Sequence, residues 1–160
     1  MITSRPAPLR CILVAMPARG FPSLERRLQA GPAADPGHRG TLLALLKAIS
    51  NNELTALPNF FTPDAELRIH GFPAFNTHSR GREHVVTAVA AHFGRRARRE
   101  AEAEQVIQDG SALAVLIRER GLLKDGRRYA GRGVIWCRFR HNRIHRLDEF
   151  LDTCFEDIAA

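Results

Sequence analysis

Apolar side chains change their spacing along this chain, and each change marks a predicted element. From Thr41, the run TLLALLKAISNN sets Leu42, Leu45, Leu46 and Ile49 at three- and four-residue intervals. That spacing gathers side chains on one face of a helix, so a first helix is predicted there. After a turn at Asn51–Asn52, ELTALPNFF carries a second stripe of Leu54, Leu57, Phe60 and Phe61. Pro58 tightens or interrupts this second helix unless it falls in the first turn. DAELRIHGF alternates Ala65, Leu67 and Ile69 with Glu66, Arg68 and His70, which is the two-residue period of a strand.

A turn-rich loop follows, and GREHVVTAVAAHFGRR returns to helical spacing through Val85, Val89 and Phe93, with Ser79 as its candidate cap. REAEAEQVIQDG sets propensity against period: Ala and Glu favour helix, but Glu100, Glu102 and Glu104 alternate strictly with small residues. Period decides for a strand. SALAVLIRER, RRYAGRGVIWCRFR and RIHRLDEFLD are three more predicted strands, separated by the hairpin-type turns QDG, KDGR and RHNR. Helices first and an antiparallel meander last predict an α+β domain.

The 160 residues suit one domain with a core. Residues 1–38 hold six of the nine prolines and little periodicity, and are expected to form a loosely ordered extension before a domain at 39–160. Three origins stay open for that extension: a misplaced start with Met16 or a later site as the true one, a transit-like leader, or a short arm. No apolar run approaches the roughly 20 residues of a membrane span, and CILVAM is shorter than a secretory core of about 7–15 residues. A soluble, cytoplasmic protein without membrane partners is the expectation. Cys11, Cys137 and Cys154 suggest neither a disulfide framework nor a zinc knuckle.

The formal charge of +7 and the run RRARR at Arg95–Arg99 raise nucleic-acid binding as a reading. Because 22 of the 24 basic residues are arginine, base composition explains the charge more simply, and nucleic acid is not favoured as a partner. His84 and His92 lie too far apart on a helix for simple chelation, and HNRIH matches no standard zinc spacing. No metal is expected.

The closing stretch RIHRLDEFLDTCFEDIAA sets Asp148, Glu149 and Asp152 among Ile144, Leu147, Phe150 and Leu151. A carboxylate among apolar neighbours must be paired, hydrogen-bonded or used. His70, at the end of the first predicted strand, is a second group able to move protons near neutral pH. Tyr129 and Arg132 could orient a polar ligand group, and the face taken by Trp136 is left open.

Three segments carry a resemblance to the nuclear transport factor 2-like superfamily, specifically its SnoaL-like and ketosteroid-isomerase-like enzymes. KAISNNELTALPNFFTPDAELRIHG resembles the two helices entering the first strand, GREHV the start of the third helix, and WCRFRHNRIHRLDEFLDT the last hairpin. The resemblance covers about residues 40–156. It implies a cone: three helices packed on a strongly curved, mostly antiparallel sheet that encloses a pocket. It also implies a homodimer through the outer sheet face and a small apolar ligand bound without a cofactor.

Ketosteroid isomerase pairs an aspartate base with a tyrosine and a protonated aspartic acid. Matching the segments without gaps puts Leu45 at the tyrosine and Ile69 at the base, with no acid near Ile135 and Trp136, so that reaction is not expected. The acid of SnoaL-like polyketide cyclases corresponds loosely to Glu149 or Asp152. Asp152 is the expected catalytic acid, since it shares a strand face with Phe150, and His70 is its expected aid. Phe60, Phe61, Phe93, Trp136 and Phe150 would line the pocket, with Tyr129 and Arg132 at its polar end. The resemblance thus implies a cofactor-independent isomerase, cyclase, dehydratase or hydrolase acting on an apolar carbonyl or polycyclic compound. Its rival is a non-catalytic ligand-binding or dimerisation module of the same fold.

Overall fold

Leu42, Leu45 and Leu46 are buried on one face of α1 (Pro36–Ser50), as their spacing requires. The computed structural model describes residues 36–71 and 76–156. The expected extension therefore lies almost wholly outside the described residues, although Pro36, Gly37 and His38 belong to α1. The second apolar stripe forms a 3-10 helix (Leu54–Phe60) with Pro58 inside it, where the missing N–H removes one helical donor. It leads directly into β1 (Phe61–His70).

Part of the loop expected next is a short strand, β2 (Thr77–Arg80). Ser79 lies in this strand instead of capping the following helix, α2 (Arg82–Phe93). The cap position is Gly81, whose φ of 86° a residue without Cβ adopts readily. Four long strands follow as read from the alternation: β3 (Arg96–Asp109), β4 (Ala112–Leu123), β5 (Arg128–Arg140) and β6 (Arg143–Glu156). His141 and Asn142, with φ of 49° and 56°, make the tight β5–β6 turn. Positive φ at both central residues gives the turn the twist that a hairpin favours.

The six strands lie in the order β2-β1-β6-β5-β4-β3. All neighbours are antiparallel except β1 and β6, which run parallel. This arrangement corrects the expected cone. The sheet is mixed and open, with β2 and β3 as unjoined edges, so it does not wrap strongly around the helices to enclose a deep pocket. The α1 leucines fill the space between the layers and leave a cavity of only about 10 Å³, enough for about one water.

One sheet face is covered by the helices. It carries Leu67 and Ile69 from β1, Val115 and Ile117 from β4, Ile135, Cys137 and Phe139 from β5, and Ile144 and Leu147 from β6, all in one core with Leu42, Leu57, Val85 and Val89. In β6 the buried residues Ile144 and Leu147 are three apart, not two. The cause is a bulge: Phe139 pairs with Ile144 and Arg138 with Arg146, leaving His145 as an extra residue. A bulge reverses the alternation beyond it. Leu147, Glu149 and Leu151 therefore face the helices, whereas Arg146, Asp148, Phe150 and Asp152 take the outer face.

Candidate functional site

Glu149 is the acid that faces the helix layer. Its neighbours across the sheet are Ile69 on β1 and Ile135 on β5, both buried. It is 2 % exposed and lines the 10 Å³ cavity, whose other walls are apolar side chains that include Leu45, Ile49, Val89 and Phe93. Burial pushes its carboxyl up from 4.5 to about 7, against the pull of the Arg96 and Arg99 charges. Oε1 has no hydrogen-bond partner among the described residues. Such a carboxyl carries a proton for much of the time near neutrality.

The last turn of α2 supplies His92, whose Nε2 lies 3.4 Å from Glu149 Oε2 and 3.4 Å from Arg96 Nη2. Burial, then the charges of Arg96, Arg99 and Arg95, hold His92 down at about 3, so the ring is neutral. A guanidinium only donates. Nε2 therefore carries no proton and spends its one lone pair on Arg96 Nη2, with Glu149 Oε2 beside it at ion-pair distance. A neutral ring beside the carboxyl adds no charge that would favour its ionised form.

Beyond His92, β3 and β4 bring a buried ionic group to the same end of the core. Glu119 follows Leu113, Val115 and Ile117 in the inward alternation of β4 and is 2 % exposed. It accepts from Arg99 Nε at 2.9 Å and from Arg96 Nη2 at 3.4 Å. The Phe93 ring lies under both guanidiniums, 4.6 Å from Arg96 Cζ and 5.2 Å from Arg99 Cζ, and Tyr129 lies 5.5 Å from Arg96 Cζ.

The residues singled out in the sequence divide between the two faces. Phe61 and Tyr129 are buried, Phe60 and Phe93 half-buried, and Phe93 lines the cavity. Asp152, His70, Arg132 and Phe150 come together, but on the outer face, around an open groove of about 570 Å³ that Leu116 and Val134 also line. There His70 stacks on Phe150 at 4.5 Å between centroids and meets Asp148 Oδ1 at 3.4 Å. Arg132 Nε donates to Glu104 Oε2 at 3.1 Å. Trp136 also faces outward, 5.4 Å from both Arg138 and Arg146. Glu149 stands second to Asp152 on sequence grounds, His92 enters there only as a possible chelator, and Arg96 and Arg99 only as part of a charged run. Two signals could have found the group: the step Val85, Val89, His92 along α2, and the step Ile117, Glu119 along β4.

Comparisons with known proteins agree with this architecture. The model of the SnoaL-like domain family matches residues 42–147. The fold is similar to that of a putative SnoaL-like polyketide cyclase from Jannaschia sp., at 18% identity over 76% of this chain and 92% of that one, with a TM-score of 0.65. A putative isomerase from Rhodopseudomonas palustris is similar at 18% identity over 74% and 91% of the two chains, TM-score 0.64. An epoxide hydrolase of the LEH-like type from M. tuberculosis is similar at 17% identity over 72% and 83%, TM-score 0.60. No curated protein matches the chain. No helix among the described residues is long and apolar enough to cross a membrane.

Proposed function

The chain belongs to the SnoaL-like domain family, and on that premise we propose that it binds a largely apolar small molecule and moves a proton on it through the carboxyl of Glu149. The observation that carries this reading is a fully buried carboxyl, raised to about 7, on the wall of an otherwise apolar cavity. An acid/base group works best when its pKa lies near the working pH. In its neutral form Glu149 donates a proton to a carbonyl or leaving oxygen; as carboxylate it removes one from carbon or water. The neutral ring of His92 lies beside the carboxyl, and the apolar walls exclude competing water. The cavity is smaller than any such substrate, so binding displaces the α1 leucines that roof it.

Isomerisation, cyclisation, dehydration and hydrolysis all use such a step. The test is turnover of enone, epoxide, steroid-like and polyketide-like compounds that raise the melting temperature. Glu149→Gln is expected to abolish turnover, and wild-type kcat is expected to follow a group titrating near 7. Undiminished turnover in Glu149→Gln sinks the reading, and loss in Asp152→Asn alone moves the role to Asp152.

A second reading rests on the outer groove, where Phe150 is 47 % exposed beside Leu116 and Val134. There the chain acts as a binding or dimerisation module without chemistry. Phe150→Asp would then turn a dimer into a monomer in sedimentation, and a monomeric wild type removes this reading.

A further inference from the structure

The arginines behind the cavity are incompletely answered. Arg96 and Arg99 have side chains 10 % and 6 % exposed, yet Arg96 Nη1 and Arg99 Nη2 are buried without a hydrogen-bond partner among the described residues. Glu119, the one carboxylate among the described residues that they both touch, offers a single negative charge to two guanidiniums. Buried donors left open are costly, and charged ones more so. A structural ion pair needs neither the second arginine nor the two open donors.

Place in the fold points to what fills them. Both guanidiniums lie against the Phe93 ring, and Phe93 lines the same cavity as Glu149. His92 joins the two parts through Arg96 on one side and Glu149 on the other. The cavity is therefore apolar around one carboxyl, and behind its Phe93 wall two buried cations each keep a donor without a partner among the described residues. We propose that Arg96 and Arg99 form the head-group subsite of this cavity and that its ligand is an apolar acid, one carboxylate on a hydrocarbon body. The inference rests on the reading of the cavity as a ligand site and names the substrate class. The two carboxylate oxygens accept from Arg96 Nη1 and Arg99 Nη2, and the ligand supplies the negative charge that Glu119 leaves unmatched.

The experiment is calorimetric titration of the full chain with two matched pairs of probes, octanoate with octanamide and 2-naphthoate with 2-naphthamide. Each pair differs only in the charged head. Wild type is expected to bind at least one acid about tenfold or more tightly than its amide, since charge-assisted bonds to a carboxylate are the strong ones. In R99Q/E119Q, which removes one donor and leaves no buried carboxylate unpaired, that preference is expected to fall about tenfold. Equal binding of acid and amide by wild type, or no binding of any probe, overturns the subsite without reference to a variant. A preference that persists in a folded R99Q/E119Q protein overturns it as well. Turnover lost in Glu149→Gln without an acid preference in wild type defeats this inference alone. An acid preference with undiminished turnover in Glu149→Gln defeats the proton-transfer reading alone.

Discussion

Replacing Glu149 with glutamine removes a titration that the fold makes unfavourable. The folded chain holds this proton up to about 7, whereas an ordinary glutamate releases it near 4.5. Below 4.5 both states are protonated and the full stability is present. As pH rises toward 7 the unfolded chain releases the proton first, so folding stability falls by about 3 kcal/mol in all. His92 works in the opposite sense. Held at about 3 instead of 6.5, it lowers stability as pH falls from 6.5 toward 3. The two trends oppose each other where they overlap, so wild type alone shows little slope there. Subtracting wild type from Glu149→Gln cancels the histidine contribution and isolates the carboxyl. Urea unfolding followed by Trp136, the single tryptophan, would be measured at about pH 4 and about pH 8.5. Relative to wild type, the variant is expected to gain about 3 kcal/mol between the two. A difference that does not change with pH means Glu149 titrates as an exposed carboxylate, and the reasoning about its environment fails.

Two further outcomes test the outer face and the sheet. Burial raises the Asp148 carboxyl, but Arg146 at 2.6 and 3.0 Å and then His70 hold it below its ordinary 3.8. Asp148→Asn should therefore cost about 1–3 kcal/mol at neutral pH, a deficit that shrinks as pH falls through the carboxylate range; equal urea midpoints at neutral pH would contradict it. A Cβ on Gly121 would collide with the Arg98 carbonyl oxygen and lie 2.7 Å from Tyr129 Cε1. Gly121→Ala should cost about 2 kcal/mol or more by forcing β3 and β4 apart, and an unchanged melting temperature would show that the ladder yields freely.

Local periodicity carried most of the fold. Leu42, Leu45, Leu46 and Ile49 spell out α1, and the alternation through Leu113, Val115 and Ile117 spells out β4 with its inner face. The strand period also prevailed over helix propensity in β3, because pairing along the whole of β4 outweighs the few tenths of a kcal/mol that separate Ala and Glu from better strand formers. Closure was not legible in this way. Whether a sheet wraps into a cone depends on pairing between its edges, and no local pattern shows that β2 and β3 stay apart. Sheet order is similarly hidden, since the parallel contact of β1 with β6 joins residues about eighty positions apart, as in Leu67 with Leu147.

The site turned on a single residue of register. Counted in twos from the buried Ile144, β6 sends Arg146, Asp148, Phe150 and Asp152 toward the helices and Glu149 toward the outside. His145 is the extra residue of the bulge, and it inverts that count. Phe150 and Asp152 do share a strand face, and the bulge turns that face away from the helices. The spacing Ile144–Leu147 already held the correction: two apolar residues three apart cannot share one face of an unbroken strand. With the bulge in place, three chain segments distant in sequence deliver Glu149, His92 and the Arg96–Glu119–Arg99 group to one end of the core. Moving the bulge would return Asp152 to the inner face and turn Glu149 outward, so this one extra residue determines which carboxyl the apolar core raises toward neutrality.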